Sequence, residues 1–122
     1  MDQRYLSGRQ ARPPAERRTQ ARLRVQLPAR DPDGHSWRVH DVSRAGLCLL
    51  TDRPLDEGAT LELDLTDTAS GRSCRFEAQV VWIAPGEPGR AGLRFAPLSP
   101  EQDAWLTSRF VEWMRAGNEP AE

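Results

Sequence analysis

Between Arg22 and Ala96 the apolar residues recur at every second position in short runs, and each run ends in a cluster of turn-forming residues. Leu23, Val25 and Leu27 alternate with Arg22, Arg24 and Gln26. Leu61, Leu63 and Leu65 alternate with Thr60, Glu62 and Asp64, and Phe76, Ala78, Val80 and Trp82 share one face of Ser73 to Ile83. A two-residue period belongs to a strand with one buried face, because successive side chains of an extended backbone point to opposite sides. Six strands are predicted: Arg22 to near Pro28, Ser36 to Val42, Leu47 to Thr51, Thr60 to Thr66, Ser73 to Ile83, and Ala91 to Ala96.

The connections are short and chemically explicit. Asp31-Pro32-Asp33-Gly34, Ser43-Arg44-Ala45-Gly46, Pro54 to Gly58, Ala69-Ser70-Gly71 and Pro85 to Gly89 all place Pro, Gly, Asp or Ser between strands. Pro presets φ and Gly accepts positive φ, so these segments reverse the chain tightly. After Ala96 the period changes. Ser99 is a cap, Pro100 suits the first helical position, Gln102 completes a capping-box spacing, and Trp105, Leu106, Phe110, Val111, Trp113 and Met114 form an apolar stripe up to Gly117-Asn118. The expected fold is mostly β: a six-stranded antiparallel β-barrel with a C-terminal α-helix covering its open side.

Length and composition bound the rest. A chain of 122 residues with 38% hydrophobic content suits one core. Residues 1–16, with Gly8, Pro13, Pro14 and scattered Arg, read as a flexible arm, 17–117 as the folded domain and 118–122 as a tail. The longest apolar run, Val80 to Ala84, falls far short of the ~20 residues of a membrane-spanning helix, and no secretion signal is visible. A soluble, cytoplasmic chain without membrane insertion is expected. Cys48 and Cys74 form no CxxC pair and the chain has two His, so the spacing suggests no metal site, and the cysteines are expected to be thiols.

The net charge of −1 conceals a division. Residues 1–30 hold eight Arg against Asp2 and Glu16, while the remainder holds nine Arg against sixteen acids. Positive potential therefore gathers at the N-terminal end, where an anionic partner would feel it. Arg17, Arg18 and Arg22 are like charges within six residues that repel unless anions or carboxylates lie between them. Asp41 and Ser43, two apart in extended chain, project from one face, pairing an acceptor with a hydroxyl that donates or accepts. Gly46 lets the backbone turn and a ligand approach closely. A guanidinium fork meets guanine O6 and N7, a carboxylate accepts from the guanine N1–H and N2–H edge, and phosphates take Arg and hydroxyl donors. The inventory suits a guanine nucleotide with more than one phosphate. There is no GxxxxGK[ST] loop or magnesium-binding carboxylate cluster, and His35 and His40 have no accompanying nucleophile, so binding without turnover is expected rather than an enzyme.

Arg17-Arg18-Thr19-Gln20-Ala21-Arg22 before the first strand, Asp41-Val42-Ser43-Arg44-Ala45-Gly46, Val80-Val81-Trp82, Gly92-Leu93-Arg94-Phe95 and the terminal helix together resemble the PilZ domain, the bacterial cyclic di-GMP receptor family. The likeness spans roughly residues 16–114. It implies a six-stranded barrel with a C-terminal helix. It also implies that Arg18 and Arg22 grip guanine edges and phosphates, and that Asp41 and Ser43 bind ligand from the barrel surface while Gly46 shapes the turn. Arg17 before the RxxxR motif implies an intercalated pair of cyclic di-GMP molecules per protomer, and Trp82 falls where some relatives place an aromatic near a base. The arm would order over the barrel on binding and be read by an unidentified protein effector.

Blander readings stand beside these. The arginines could be a solvated basic arm, Asp41 and Ser43 a turn with local side-chain-to-backbone bonds, and Trp82 a core residue. Two other functions compete: a small β-barrel nucleic-acid-binding module using the basic arm, which the acidic remainder disfavours, and a PilZ-like scaffold that binds no nucleotide.

Overall fold

Seven strands and one helix make up residues 21–120, the part of the chain described by the computed structural model. The strands are β1 (Arg22–Leu23), β2 (Pro28–Arg30), β3 (Ser36–Ser43), β4 (Gly46–Thr51), β5 (Thr60–Asp67), β6 (Arg72–Ala84) and β7 (Gly89–Phe95), followed by α1 (Pro100–Arg115). Every pairing is antiparallel. The order β3-β2-β5-β6-β7-β4 closes on itself through the β3–β4 ladder, giving a six-stranded barrel, and β1 lies beside the C-terminal half of β3. Closure leaves no barrel strand with an open edge.

The predicted first strand is split. Val25 and Leu27 are buried as their alternation requires, yet the ladder is interrupted between β1 and β2. Leu27 still faces Val39, but Leu23 faces Val42, so Arg24 to Gln26 stand opposite only His40 and Asp41, and the extra residue interrupts the ladder on that edge. On its other edge β3 has an extra residue of its own, His40, a bulge that leaves Val39 paired with Leu49 and Asp41 with Cys48. A second bulge, at Val81, lies between the pairs Val80–Leu93 and Trp82–Gly92. It corrects the predicted face of β6: Phe76, Ala78 and Val80 point into the core, while Trp82 is turned onto the outer face and is only partly buried.

The other turn signals act as expected. Gly34 has φ +91° in the β2–β3 hairpin, where its amide donates to the Asp31 carbonyl at 3.0 Å. The core contains Val39, Leu47, Leu49, Leu63, Leu65, Phe76 and Val80, all nearly inaccessible, each stabilising the fold by about 1.5–3 kcal/mol through burial. Helix α1 closes one side. Ser99 accepts from the Gln102 amide and the Gln102 side chain accepts from the Ser99 amide, forming the capping box, and Gly117 at φ +86° ends the helix. Leu106, Phe110 and Trp113 enter the core, and Trp105 packs edge-on to Phe76.

Beyond the helix the chain turns back along β1. The Arg24 amide donates to the Glu119 carbonyl at 2.9 Å, and Pro120 bridges to Leu23. Among the described residues no helix is long and apolar enough to cross a membrane.

Candidate ligand-binding site

Three of the predicted site residues meet on the outer face of β3. Arg22 is opposite Ser43 in the β1–β3 ladder, and its Nε donates to Asp41 Oδ1 at 2.9 Å while Nη1 reaches Ser43 Oγ at 3.5 Å. Both charged side chains are about nine-tenths buried. A pair this enclosed is costly to break from one side only, because the remaining charge is left without compensation. Asp41 is also approached through its second oxygen, Oδ2, by His40 Nδ1 at 2.7 Å. Its carboxylate is thus held from two directions.

Ser43 is engaged locally as well. Its Oγ accepts from the amides of Ala45 at 3.1 Å and Gly46 at 3.2 Å and lies 3.3 Å from the Gly46 carbonyl. The side-chain-to-backbone turn and the contact with Arg22 therefore coexist at one hydroxyl. Gly46 has a different reason to be glycine from the one its turn suggested. A Cβ there would lie 1.9 Å from the Leu93 carbonyl oxygen, so the close approach of β4 to β7 excludes any side chain.

Trp82 belongs to the same outer face by register. Asp41 pairs with Cys48, Cys48 with Gly92 and Gly92 with Trp82, a row crossing β3, β4, β7 and β6. At the usual strand spacing this row is about 14 Å long. The indole lies over Gly92, where a Cβ would come within 2.1 Å of Nε1. Gly92 thus lets the ring lie low beside the row. Two residues either way on β7, Arg90 and Arg94 project from this same face and are exposed, so cations flank the row. Arg17 and Arg18 lie outside the described residues.

Sequence reasoning missed two participants, His40 and Cys48, and the departure of Arg44. His40, set aside in the sequence for want of an accompanying nucleophile, is half-buried against Asp41 because the bulge turns it to that side. Cys48 is the buried second member of the row, between Asp41 and Gly92. Arg44, in the middle of the Asp41 to Gly46 turn, leaves the site and binds the helix: Nη1 donates to Thr107 Oγ1 at 2.8 Å and Nη2 pairs with Asp103. None has a local signature, since bulge position and cross-chain contact are not encoded in spacing.

A family profile described as the PilZ domain matches residues 16–112. The chain belongs to the PilZ domain family. Solved structures agree on the fold. The PilZ domain of YcgR from Escherichia coli, a structure with c-di-GMP, superposes with a TM-score of 0.67 at 22% identity, covering 82% of this chain and 93% of that one. The inhibitor of motility MotI/DgrA of Bacillus subtilis gives 0.67 at 18% identity, covering 86% of this chain and 57% of the other. MrkH of K. pneumonia in its apo state gives 0.64 at 16%, covering 88% and 53%. The chain thus spans little more than half the length of these last two. Among curated protein sequences none matches significantly.

Proposed function

We propose that this PilZ domain is a receptor for c-di-GMP and acts by binding rather than by catalysis. One observation carries the reading: Arg22, Asp41 and Ser43, distant in sequence, are joined on one outer face. That is the donor–acceptor set a guanine nucleotide needs. The c-di-GMP in the similar YcgR domain supports the same ligand class.

In this proposal the Arg22–Asp41 pair is the resting state of the site. An arriving guanine offers N1–H and N2–H to Asp41, which frees Arg22 to turn its planar fork to O6 and N7 or to a phosphate. One ion pair is exchanged for two charge-assisted contacts, so little charge is left uncompensated. Ser43, already fixed by the turn, contributes a preset hydroxyl. Trp82 supplies a flat surface at the far end of the row. Arg17 and Arg18 complete the set from the N-terminal side, and with Arg17 the site takes two intercalated c-di-GMP molecules.

The signal in this scheme is ordering of the N-terminal segment over the barrel, read by a protein effector in the cytoplasm. Titration calorimetry of the full chain with c-di-GMP, with GTP and cyclic di-AMP as controls, tests the reading. The expected result is selective binding of two c-di-GMP per chain, weakened more than tenfold by Arg18→Ala, the loss of about 1.5–3 kcal/mol that a charged hydrogen bond represents. Equal affinity of the variant, or no heat from c-di-GMP, would overturn it.

A further inference from the structure

The bulge at His40 has a second chemical result, which shares Asp41 with the proposed nucleotide site. In a regular strand His40 and Asp41 would point to opposite faces. The extra residue turns them to one side, where Cys48 of the neighbouring strand stands opposite Asp41. His40 Nδ1, a carboxylate oxygen of Asp41 and Cys48 Sγ lie within 4.8 Å of one another. Nitrogen, oxygen and sulfur donors converging at this range form the ligand set of a borderline-soft divalent cation.

We propose that His40, Asp41 and Cys48 form a binding site for Zn²⁺. Tetrahedral zinc, with bonds near 2.0 Å to N and O and 2.3 Å to S, places its ligand atoms about 3.3–3.5 Å apart. The 2.7 Å separation of His40 Nδ1 and Asp41 Oδ2 must widen by about half an ångström, the metal taking the place of the bridging proton. The widest separation in the group contracts by about an ångström, which rotation about side-chain bonds supplies. The protons balance simply. The His40 ring keeps one N–H by carrying it on Nε2, and the Cys48 thiol releases its proton to solvent as it becomes a thiolate ligand.

Asp41 keeps its place in the site. Arg22 Nε holds Oδ1, leaving Oδ2 for the metal, and a hydrogen-bonded carboxylate is the usual support for a ligating one. Three protein ligands leave the fourth position to water. A cleft of about 540 Å³ lined by Arg38, Val39, His40 and Leu50 gives access from the side of the imidazole. The cluster escaped the sequence because its members come from two strands and are united by the bulge.

Co²⁺ is the direct probe, since it substitutes for zinc and reports thiolate ligation by a charge-transfer absorption. The full chain should bind one Co²⁺ with that absorption, lose it on addition of Zn²⁺, and keep it in Cys74→Ser. Cys48→Ser should abolish the band, and His40→Gln should weaken metal affinity at least ~10-fold with the fold intact by circular dichroism. No charge-transfer band in the unaltered chain, or a band that survives Cys48→Ser or vanishes in Cys74→Ser, would overturn the proposal. Because no nucleotide is added, this outcome is independent of c-di-GMP binding.

Discussion

Two Arg–Asp pairs of this barrel are buried to the same degree in different surroundings. Arg109 Nη1 binds Asp67 Oδ2 at 2.7 Å, and Arg22 Nε binds Asp41 Oδ1 at 2.9 Å; all four side chains are about one-tenth exposed. Arg109 lies inside the sixteen-residue helix α1, whereas Arg22 lies on the two-residue β1. The Asp67 carboxylate takes further hydrogen bonds from Ser70 Oγ and Trp113 Nε1, while among the described residues Asp41 has His40 beside Arg22. Burial by itself therefore does not distinguish the two pairs. What surrounds them does: the first is enclosed by helix and hairpin, and the second stands on a two-residue strand.

The largest predicted effect falls on the enclosed pair. Asp67→Ala should destabilise the domain by about 3–5 kcal/mol, because it leaves the Arg109 charge buried without a partner. Denaturant unfolding measures this. A loss no larger than that of an exposed pair would erase the contrast. Arg22→Ala should instead weaken c-di-GMP binding more than tenfold, read by calorimetry, with a smaller change in unfolding midpoint than Asp67→Ala. Equal stability losses in the two variants would make both pairs structural.

Acid sharpens the distinction at the helix. Burial raises the Asp67 pKa, but hydrogen bonds from Ser70, Arg109 and Trp113 and the Arg109 charge outweigh it, so the carboxyl lies below its ordinary 3.8. A depressed folded-state pKa means stability that is fully present above the unfolded value and lost as pH falls through the folded one. Stability should decline as pH drops from about 4 downward, and Asp67→Asn should remove that part of the slope in an acid titration followed by circular dichroism. The smallest effect belongs to Arg44. Its exposed contacts with Asp103 and Thr107 contribute about 0–1 kcal/mol, so Arg44→Ala should shift the melting temperature by a few degrees at most.

The barrel was legible because its signals are local. Alternation in β5 and the Ser99-Pro100 opening of α1 each act within a few residues, and the hairpin at Asp31 to Gly34 closes through bonds among its own atoms. The Arg22–Asp41–Ser43 cluster was legible as an inventory of chemistry, since like charges without partners imply one elsewhere. The bulges were not. His40 and Val81 are ordinary strand residues by type, and their extra position is set by ladders to β4 and β7 that local sequence does not describe. For that reason Trp82 was placed on the wrong face and His40 was set aside; the split of the first strand was missed on the same ground, since only the ladder to β3 shows that Arg24 to Gln26 face two residues. The reason for Gly46 likewise lay in the Leu93 carbonyl, forty-seven positions away.

Amide hydrogen exchange with and without c-di-GMP locates the ligand on the molecule. Added protection should appear at Arg22, Leu23 and from Asp41 to Gly46, while the segments around Asp67 and Arg109 stay as they were. Protection centred on Asp67 and Arg109, with Asp41 to Gly46 unchanged, would contradict the proposed site.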